Sequence, residues 1–209
     1  MKYMTYYEEQ NTVTVGKYQQ MKRSLKAGEQ QEQMEKYTLK KLKFIGNESQ
    51  PACAAYALCV KEGEEEKIFL EKKYIQNGLH FKSSLRISKK ECLKILKGDL
   101  EWMRGHKRDL LADFYLQITL NHLSPGYLTE YEKERVSGKK GNYILFCRKI
   151  NRAVGITNCL FEEPEIVIPC IEAEKVLVTY RKVVKLPNVF GMLFTGQEEQ
   201  PGEASLLLV

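Results

Sequence analysis

The stretch Lys67–Ile87, KIFLEKKYIQNGLHFKSSLRI, indicates the kind of fold most directly. Its two halves, Lys67–Ile75 and Leu79–Ile87, have the length of strands and carry aromatic and branched apolar side chains. They are separated by Gln76-Asn77-Gly78, and an Asn-Gly pair is a strong signal for a tight turn between antiparallel strands. The stretch therefore predicts a β-hairpin.

Downstream of this hairpin the sequence predicts two helices and then three strands. Ser88 and Glu91 have the spacing of a capping box, which predicts a helix that ends at Gly98. A longer helix over 107–122 has a broad apolar face and ends before a Ser-Pro-Gly sequence. The later elements are strands over 127–136, 142–148 and 175–184, a linker over 151–174 and a short helix over 188–194.

Upstream of the hairpin, one stretch is ambiguous. Residues 3–13 predict an edge strand, and a helix follows from Thr14, which has the residue type of an N-cap, to Ala27. Tyr37–Phe44 predicts a further strand. Ala52–Val60 fits either a buried strand or a short helix, because its alanines favour neither.

Composition limits the class of protein without deciding the function. The 209 residues carry a net charge of +6 and are 43% hydrophobic, which is ordinary for one globular domain. The mild basic excess fits a solvated surface of mixed charge, and it equally fits a protein that binds an anion.

The six cysteines, at 53, 59, 92, 147, 159 and 170, form no Cys-x-x-Cys pair and have apolar neighbours. That pattern predicts free, buried thiols in a reducing compartment rather than a metal site. The uncharged stretch 50–60 is too short to span a bilayer, and the first ten residues lack an apolar signal core. We therefore expect a cytoplasmic protein without a membrane span.

Four segments, taken in order, point to a known family. They are KIFLEKK (67–73) with HFK (80–82), ECLKILKG (91–98), LLADFYLQITLNHLSPGYLTEYEKER (110–135) and VLVTYRKVVKLPNVFGMLF (176–194). YTLKKLKF (37–44) and the opening strand match more weakly. This series resembles the VTC (vacuolar transporter chaperone) domain of bacterial polyphosphate polymerases, which belongs to the CYTH-like triphosphate tunnel superfamily.

The resemblance implies an α+β fold in which an antiparallel β-tunnel or barrel has helices packed outside it. We expect this domain to cover residues 1–196 and to be followed by a flexible tail over 197–209. The implied reaction transfers the terminal phosphate of ATP to polyphosphate, with Mn or Mg as the metal. The implied partners are polyphosphate, triphosphate or a nucleotide; a nucleic acid is not expected, because aromatic and basic residues hardly interleave.

The resemblance also assigns residues. It implies catalytic roles for Lys73, Lys82, Lys133 and Arg181, and phosphate binding by these four together with Lys40 and Tyr131. Glu71 and Glu8 are the implied metal ligands. Other interpretations of single residues stay open: Glu71 and Lys73 fit a solvated surface pair, Tyr131 fits core packing, and Lys133 with Arg135 fits an exposed strand face.

Several positions depart from the family pattern. Where the family has a basic strand, the chain reads Ala52–Cys59 without a positive charge, and the register of this strand is open. Cys147 replaces an aspartate and Thr179 replaces a glutamate of the family, so an anionic metal ligand is lost. We therefore expect a divergent member that binds phosphate or a polyanion with weak or no catalysis, a pseudoenzyme. The alternative is a scaffold or protein-interaction module whose tunnel has collapsed.

Overall fold

The computed structural model describes residues 1–27, 33–46, 54–64, 67–138, 141–154 and 160–184. These contain nine strands, three α-helices and one 3-10 turn over Glu101–Met103. The strands are β1 Lys2–Thr14, β2 Gln33–Ile45, β3 Ala55–Lys61, β4 Ile68–Gln76, β5 Leu79–Ile87, β6 Ser124–Ser137, β7 Tyr143–Ala153, β8 Val167–Pro169 and β9 Lys175–Val184. The helices are α1 Val15–Ala27, α2 Lys89–Leu96 and α3 Asp109–Asn121.

Eight of the described strands close into an antiparallel barrel. Their order is β6-β2-β3-β4-β5-β1-β9-β7, and β7 returns to pair with β6. The short β8 pairs only with β7, at 151–153, and lies outside the ring. The predicted α+β antiparallel barrel with external helices is therefore confirmed.

The predicted hairpin is β4 and β5, joined by a two-residue turn. Asn77 and Gly78 both have positive φ, 51° and 70°, as a type I′ turn requires. The predicted capping box also forms, since Glu91 N donates to Ser88 Oγ at 3.2 Å and Ser88 N donates to Glu91 Oε2 at 2.7 Å. Local turn and cap chemistry therefore acts here as the sequence indicates.

Other predictions need revision. The strand predicted over 3–13 is not an edge strand, because β1 pairs with both β5 and β9 and so completes the ring. The ambiguous stretch is a strand, β3, and the predicted linker over 151–174 contains the end of β7 and all of β8. The helix predicted over 188–194 and the domain boundary at 196 lie outside the described residues.

The main hydrophobic core lies outside the barrel wall. Outward side chains of β2 to β6 pack against α2 and α3, with Leu42, Leu58 and Leu70 wholly buried there. Tyr56 and Lys72 both bind the Asp113 carboxylate, at 2.6 and 3.0 Å, and so fix α3 to the wall. Most apolar side chains of these strands are therefore buried on the outer surface of the barrel, which leaves its interior able to carry polar groups.

A smaller core lies under α1 on the opposite side of the barrel. It contains Tyr18 of α1 and Val136, Phe146, Val176 and Val178 of the wall. The rings of Tyr18 and Phe146 meet edge to face at 5.1 Å. The first helix therefore covers β6, β7 and β9, while α2 and α3 cover β2 to β6.

Replacing Phe114 of α3 by alanine should unfold the protein at much lower urea. Phe114 is fully buried, with its ring centroid 4.9 Å from Phe44 and 5.3 Å from Tyr56. Such a truncation removes about 3–5 kcal/mol from the free energy of unfolding. The control is Leu120→Ala on the same helix, whose side chain is 66% exposed. Equal effects of the two changes would contradict the position of this core.

Candidate functional site

The side chains that point into the barrel follow from strand alternation. Residues that pair across strands share a face, and Lys41–Cys59, Lys73–Lys82 and Lys133–Cys147 are such pairs. The outward positions between them carry the apolar core, so the inward ones are the polar set. We define the tunnel cluster as the charged residues of this inner wall that interact with one another: Glu8, Lys41, Glu71, Lys73, Lys82, Lys133 and Arg181.

Two carboxylates of the tunnel cluster are each engaged by a cation. Lys82 Nζ donates to Glu71 Oε1, and Arg181 Nε donates to Glu8 Oε2. Burial opposes the charge of Glu71, but the ammonium groups of Lys82, Lys41 and Lys73 hold the pKa of Glu71 far below its usual range. Both carboxylates are therefore ionised at neutral pH.

Three further lysines, Lys41, Lys73 and Lys133, form what we call the lysine cluster. The side-chain nitrogen of none of them makes an ion pair or hydrogen bond with another residue in the described ranges. Burial lowers the pKa of Lys73 well below its usual value, and repulsion from Lys41, Arg181 and Lys82 adds to this. Burial is also the main cause that lowers the pKa of Lys41 and of Lys133. The tunnel cluster thus holds five cationic side chains against two carboxylates.

Arginine and aromatic side chains alternate beside this cluster, across five strands. Tyr6 stacks on His80 with ring centroids 5.4 Å apart, and the guanidinium of Arg181 lies 4.6 Å from the Tyr6 centroid. Arg181 Nη1 donates to the Tyr143 hydroxyl at 3.3 Å, and the Arg135 guanidinium lies 4.4 Å from the Tyr143 centroid. These contacts order the wall at the end of the barrel where β2 begins and β6 ends.

Two polar atoms in this alternating stack lack a partner. The Tyr6 hydroxyl and Arg135 Nε are both buried and form no hydrogen bond within the described structure. A buried polar group without a partner costs about 1–3 kcal/mol, so such groups usually meet a ligand or water. Burial raises the pKa of Tyr6, which therefore remains a neutral hydroxyl. Both atoms can donate hydrogen bonds, and their natural partner is an acceptor such as an anion.

The residues assigned by the family resemblance divide into two groups. Glu8, Glu71, Lys73, Lys82, Tyr131, Lys133 and Arg181 all point into the barrel. Lys40 does not join them, because it shares the outward parity of Leu42 and binds Glu163 at 2.7 Å. Their roles in catalysis, phosphate binding and metal binding stay predictions.

The sequence interpretation missed four inward groups. Lys41 is the inward lysine of β2, and Leu42 signals this, since an apolar residue that faces the core makes both its neighbours face inward. Arg135 and Tyr6 carry no motif; the pairing of β6 with β7 brings Arg135 to Tyr143, and the pairing of β1 with β9 brings Tyr6 to Arg181. Lys43 is also inward, and burial with repulsion from Lys41 lowers the pKa of Lys43 to about 7.

The substituted positions are apolar or neutral on the inner wall. In β3 the inward residues are Ala55, Ala57 and Cys59, while Tyr56 and Leu58 face the outer core, which settles the register. Cys147 and Thr179 are inward and buried. This side of the interior therefore contributes no charge between Ala55 and Cys59.

The interior does not fit a divalent metal ion. Its two carboxylates are held by Lys82 and Arg181, and the described residues contain no group of three His, Cys, Asp or Glu side chains close enough to share an ion. Mg²⁺ and Mn²⁺ need anionic oxygen ligands, and Thr179 supplies none. The surplus of ammonium groups would also repel a cation. The implied metal site at Glu71 and Glu8 is therefore unsupported by the donor chemistry.

The free space inside is small at one end of the barrel. A cavity of ≈ 10 Å³ is lined by Lys41, Lys43, Thr129, Tyr131, Cys147, Ile150 and Leu177. That volume holds about one water molecule. A larger ligand at this end would require the lysine and tyrosine side chains to move.

A closed antiparallel barrel with helices outside it and charged residues inside it is the fold of the CYTH-like triphosphate tunnel proteins. The resemblance to the VTC domain is confirmed for part of the chain, since the model of that domain matches residues 56–144. No curated protein is similar enough in sequence to count as a relative.

Three solved structures share the fold at low sequence identity. A putative adenylate cyclase from Bacillus halodurans matches with a TM-score of 0.54 and 11% identity, covering 100% of both chains. A chain of the Schizosaccharomyces pombe Mediator head module matches with a TM-score of 0.53 and 7% identity, covering 88% of this chain and 85% of that one. A putative adenylyl cyclase from Hippeastrum is described as having a dominant triphosphatase activity. It matches with a TM-score of 0.51 and 9% identity, covering 91% of this chain and 84% of that one.

Four cysteines lie in the described part of the chain, and three of them are buried. Cys59, Cys92 and Cys147 are free and buried as predicted, whereas Cys170 is free and exposed. Cys53 and Cys159 lie outside the described residues. Within the described part of the chain, no helix is both long and apolar enough to cross a membrane.

The lysine cluster together with Lys43 should make the protein more stable as pH rises from 7 to about 8.5. The pKa of Lys43 is about 7 and those of Lys41, Lys73 and Lys133 are lowered, so above pH 7 the unfolded chain binds more protons than the folded one. The free energy of unfolding then rises with pH. Above about 8.5, the usual pKa of a thiol, Cys59 opposes the rise, because its pKa is raised to about 12.

Urea unfolding at several pH values measures this slope. Lys73→Met should raise stability at pH 7 and reduce the slope, since a poorly solvated ammonium is removed. Lys90→Met, at an exposed position on α2, should leave the slope unchanged. A free energy of unfolding that falls between pH 7 and 8.5 would contradict the lowered pKa values of the interior lysines.

Proposed function

We propose that the protein binds a chain of phosphate groups, such as triphosphate or short polyphosphate, inside the barrel, and that it transfers phosphate weakly or not at all. The observation that carries the proposal is the lysine cluster: three buried lysine side chains that form no direct ion pair with another of the described residues. Phosphate oxygens would supply the missing charge and the missing acceptors. The fold shared with a protein described as a triphosphatase adds support.

The unpaired donors beside the cluster support the same proposal. The Tyr6 hydroxyl and Arg135 Nε need acceptors, and Arg181 lies between Tyr6 and Tyr143. A phosphate chain has acceptor oxygens along its whole length. It could therefore contact the lysine cluster and these donors together.

A second candidate function is a scaffold that uses the barrel only as a framework. The ≈ 10 Å³ cavity favours it, because this end of the interior has no room for a phosphate chain without rearrangement. The same fold in a chain of the Mediator head module gives it further support. A measurement of ligand binding separates the two candidates, because only the first requires the interior lysines to bind an anion.

Titration calorimetry with inorganic triphosphate should detect binding that weakens as salt increases. Lys133→Met and Lys73→Met should each weaken it about tenfold or more, since a hydrogen bond to a charged group contributes about 1.5–3 kcal/mol. Lys40→Met is the matched control, because Lys40 lies on the outer face with Glu163. No heat and no thermal shift with millimolar triphosphate would favour the scaffold.

Binding should also take up protons. The anion stabilises the charged form of Lys41, Lys73 and Lys133, whose pKa values are lowered in the free protein. Affinity should therefore fall as pH rises from 7 to 9. Calorimetry in two buffers of different ionisation enthalpy measures the proton count, and a count of zero would contradict an interior site.

The purified protein should form no substantial polyphosphate from ATP with Mn or Mg. Both carboxylates are occupied by cations, and Thr179 and Cys147 offer no anionic ligand. Loss of one preorganised electrostatic group costs about 10²–10³ in rate. An assay of ATP consumption and polyphosphate formation beside an intact family member tests this. Turnover within about tenfold of that reference would overturn the proposed loss of catalysis.

A further inference from the structure

A second basic concavity lies outside the barrel, between α1 and the outer wall. It has a volume of ≈ 360 Å³ and is lined by Tyr18, Gln19, Lys22, Arg23, Lys36, Glu134 and Arg148. These residues come from α1, β2, β6 and β7. We call this space the α1 cleft.

The floor of the α1 cleft is a fixed polar contact. The Tyr18 hydroxyl donates to Glu134 Oε2 at 2.5 Å, and Lys22 Nζ binds Glu134 Oε1 at 2.6 Å. Burial opposes the charge on Glu134, but the hydrogen bonds from Lys22 and Tyr18 lower its pKa below the usual range. Glu134 is thus ionised and satisfied, and it holds α1 against the wall.

The walls of the α1 cleft carry more positive charge than the floor neutralises. Its lining has four cationic side chains and one carboxylate. Arg148 Nη2 forms an ion pair with Glu132 Oε2 at 2.6 Å, and Lys36 Nζ lies 3.7 Å from the same oxygen. Arg23 is exposed and makes no ion pair with another residue of the described ranges. Guanidinium groups bind phosphate through two parallel hydrogen bonds, so Arg23 and Arg148 suit such a ligand.

The α1 cleft is separate from the interior site. Glu134 lies between Lys133 and Arg135 in β6, so its side chain is on the opposite face of the wall from both. The cleft residues pack around the core under α1, not around the tunnel cluster. A ligand in the cleft therefore contacts none of the lysine cluster.

We propose that the α1 cleft binds a small phosphate-bearing anion, independently of the interior. The volume is within the range of small-molecule sites, about 300–1,000 Å³, and is sufficient for a nucleotide or an inorganic oligophosphate. Both ligands share the phosphate chemistry that the cleft recognises. This inference does not depend on the interior binding a phosphate chain.

The experiment follows backbone amide signals by NMR during titration with triphosphate and, separately, with ADP. We expect signals of α1 and of residues 144–148 to shift with either ligand, and the tighter of the two identifies the source of the phosphate. Arg23→Gln with Lys36→Gln should weaken this response about tenfold and leave the shifts of β4 and β5 unchanged. Both positions are exposed and neither takes part in the Tyr18–Glu134 contact, so the fold should persist.

The controls distinguish the two sites from each other and from general surface charge. Lys17→Gln with Lys90→Gln removes the same charge at exposed positions outside the cleft and should leave the α1 shifts unchanged. Lys73→Met should affect only the interior response. No α1 shift at millimolar ligand, or equal weakening by the control pair, would overturn the cleft proposal. If the ligand shifts the signals of α1 but not those of β4 and β5, the result would count against the interior site and not against the cleft.

Discussion

The position of the hydrophobic core outside the barrel is the constraint on which the structure depends. An eight-stranded barrel has an interior just wide enough for side chains to fill, and most proteins would fill it with apolar groups. Here the outward faces of the strands supply the apolar burial, against α2 and α3 on one side and α1 on the other. Since side chains alternate along a strand, the inward positions are free to carry lysine, arginine and glutamate beside smaller apolar residues. The charge of the interior is thus a consequence of the helices.

The interior charge is only partly compensated, and this has an energetic cost. Two pairs, Glu71 with Lys82 and Glu8 with Arg181, are satisfied, but removing either partner of a buried pair leaves an uncompensated charge. The lysine cluster forms no direct ion pair of this kind among the described residues. A protein selected only for stability would replace these lysines with apolar residues of similar volume. Their presence is the strongest argument that the interior meets an anion.

The sequence predicted the fold well because turns, caps and ordered motifs are local signals. Asn77 with Gly78 and the Ser88–Glu91 box both act as their residue types indicate. The edge position predicted for β1 was wrong, because a single strand carries no sign of whether its second neighbour exists. The family resemblance points to Lys40 as the phosphate-binding lysine of β2. Because Leu42 faces the outer core, strand alternation indicates that Lys41, and not Lys40, faces the interior.

Some features could not be read from the sequence at all. Tyr6 meets Arg181 only through the pairing of β1 with β9, and the two residues are more than a hundred positions apart in the chain. The α1 cleft likewise joins residues of one helix to three separate strands. Pairings of this kind depend on tertiary geometry, which neither composition nor periodicity encodes.

The pairing of β1 with both β5 and β9 also sets the order in which the molecule can form. Thr5 pairs with Val184, so the ring stays open until a strand about 180 residues later is available. Contacts of such long sequence separation slow folding, because loop-closure entropy is lost before the contact forms. During synthesis, β1 can pair with β5 but must wait with its other edge unpaired until β9 has emerged. An unpaired edge invites pairing with other chains, so this interval is when the nascent protein most needs protection from aggregation.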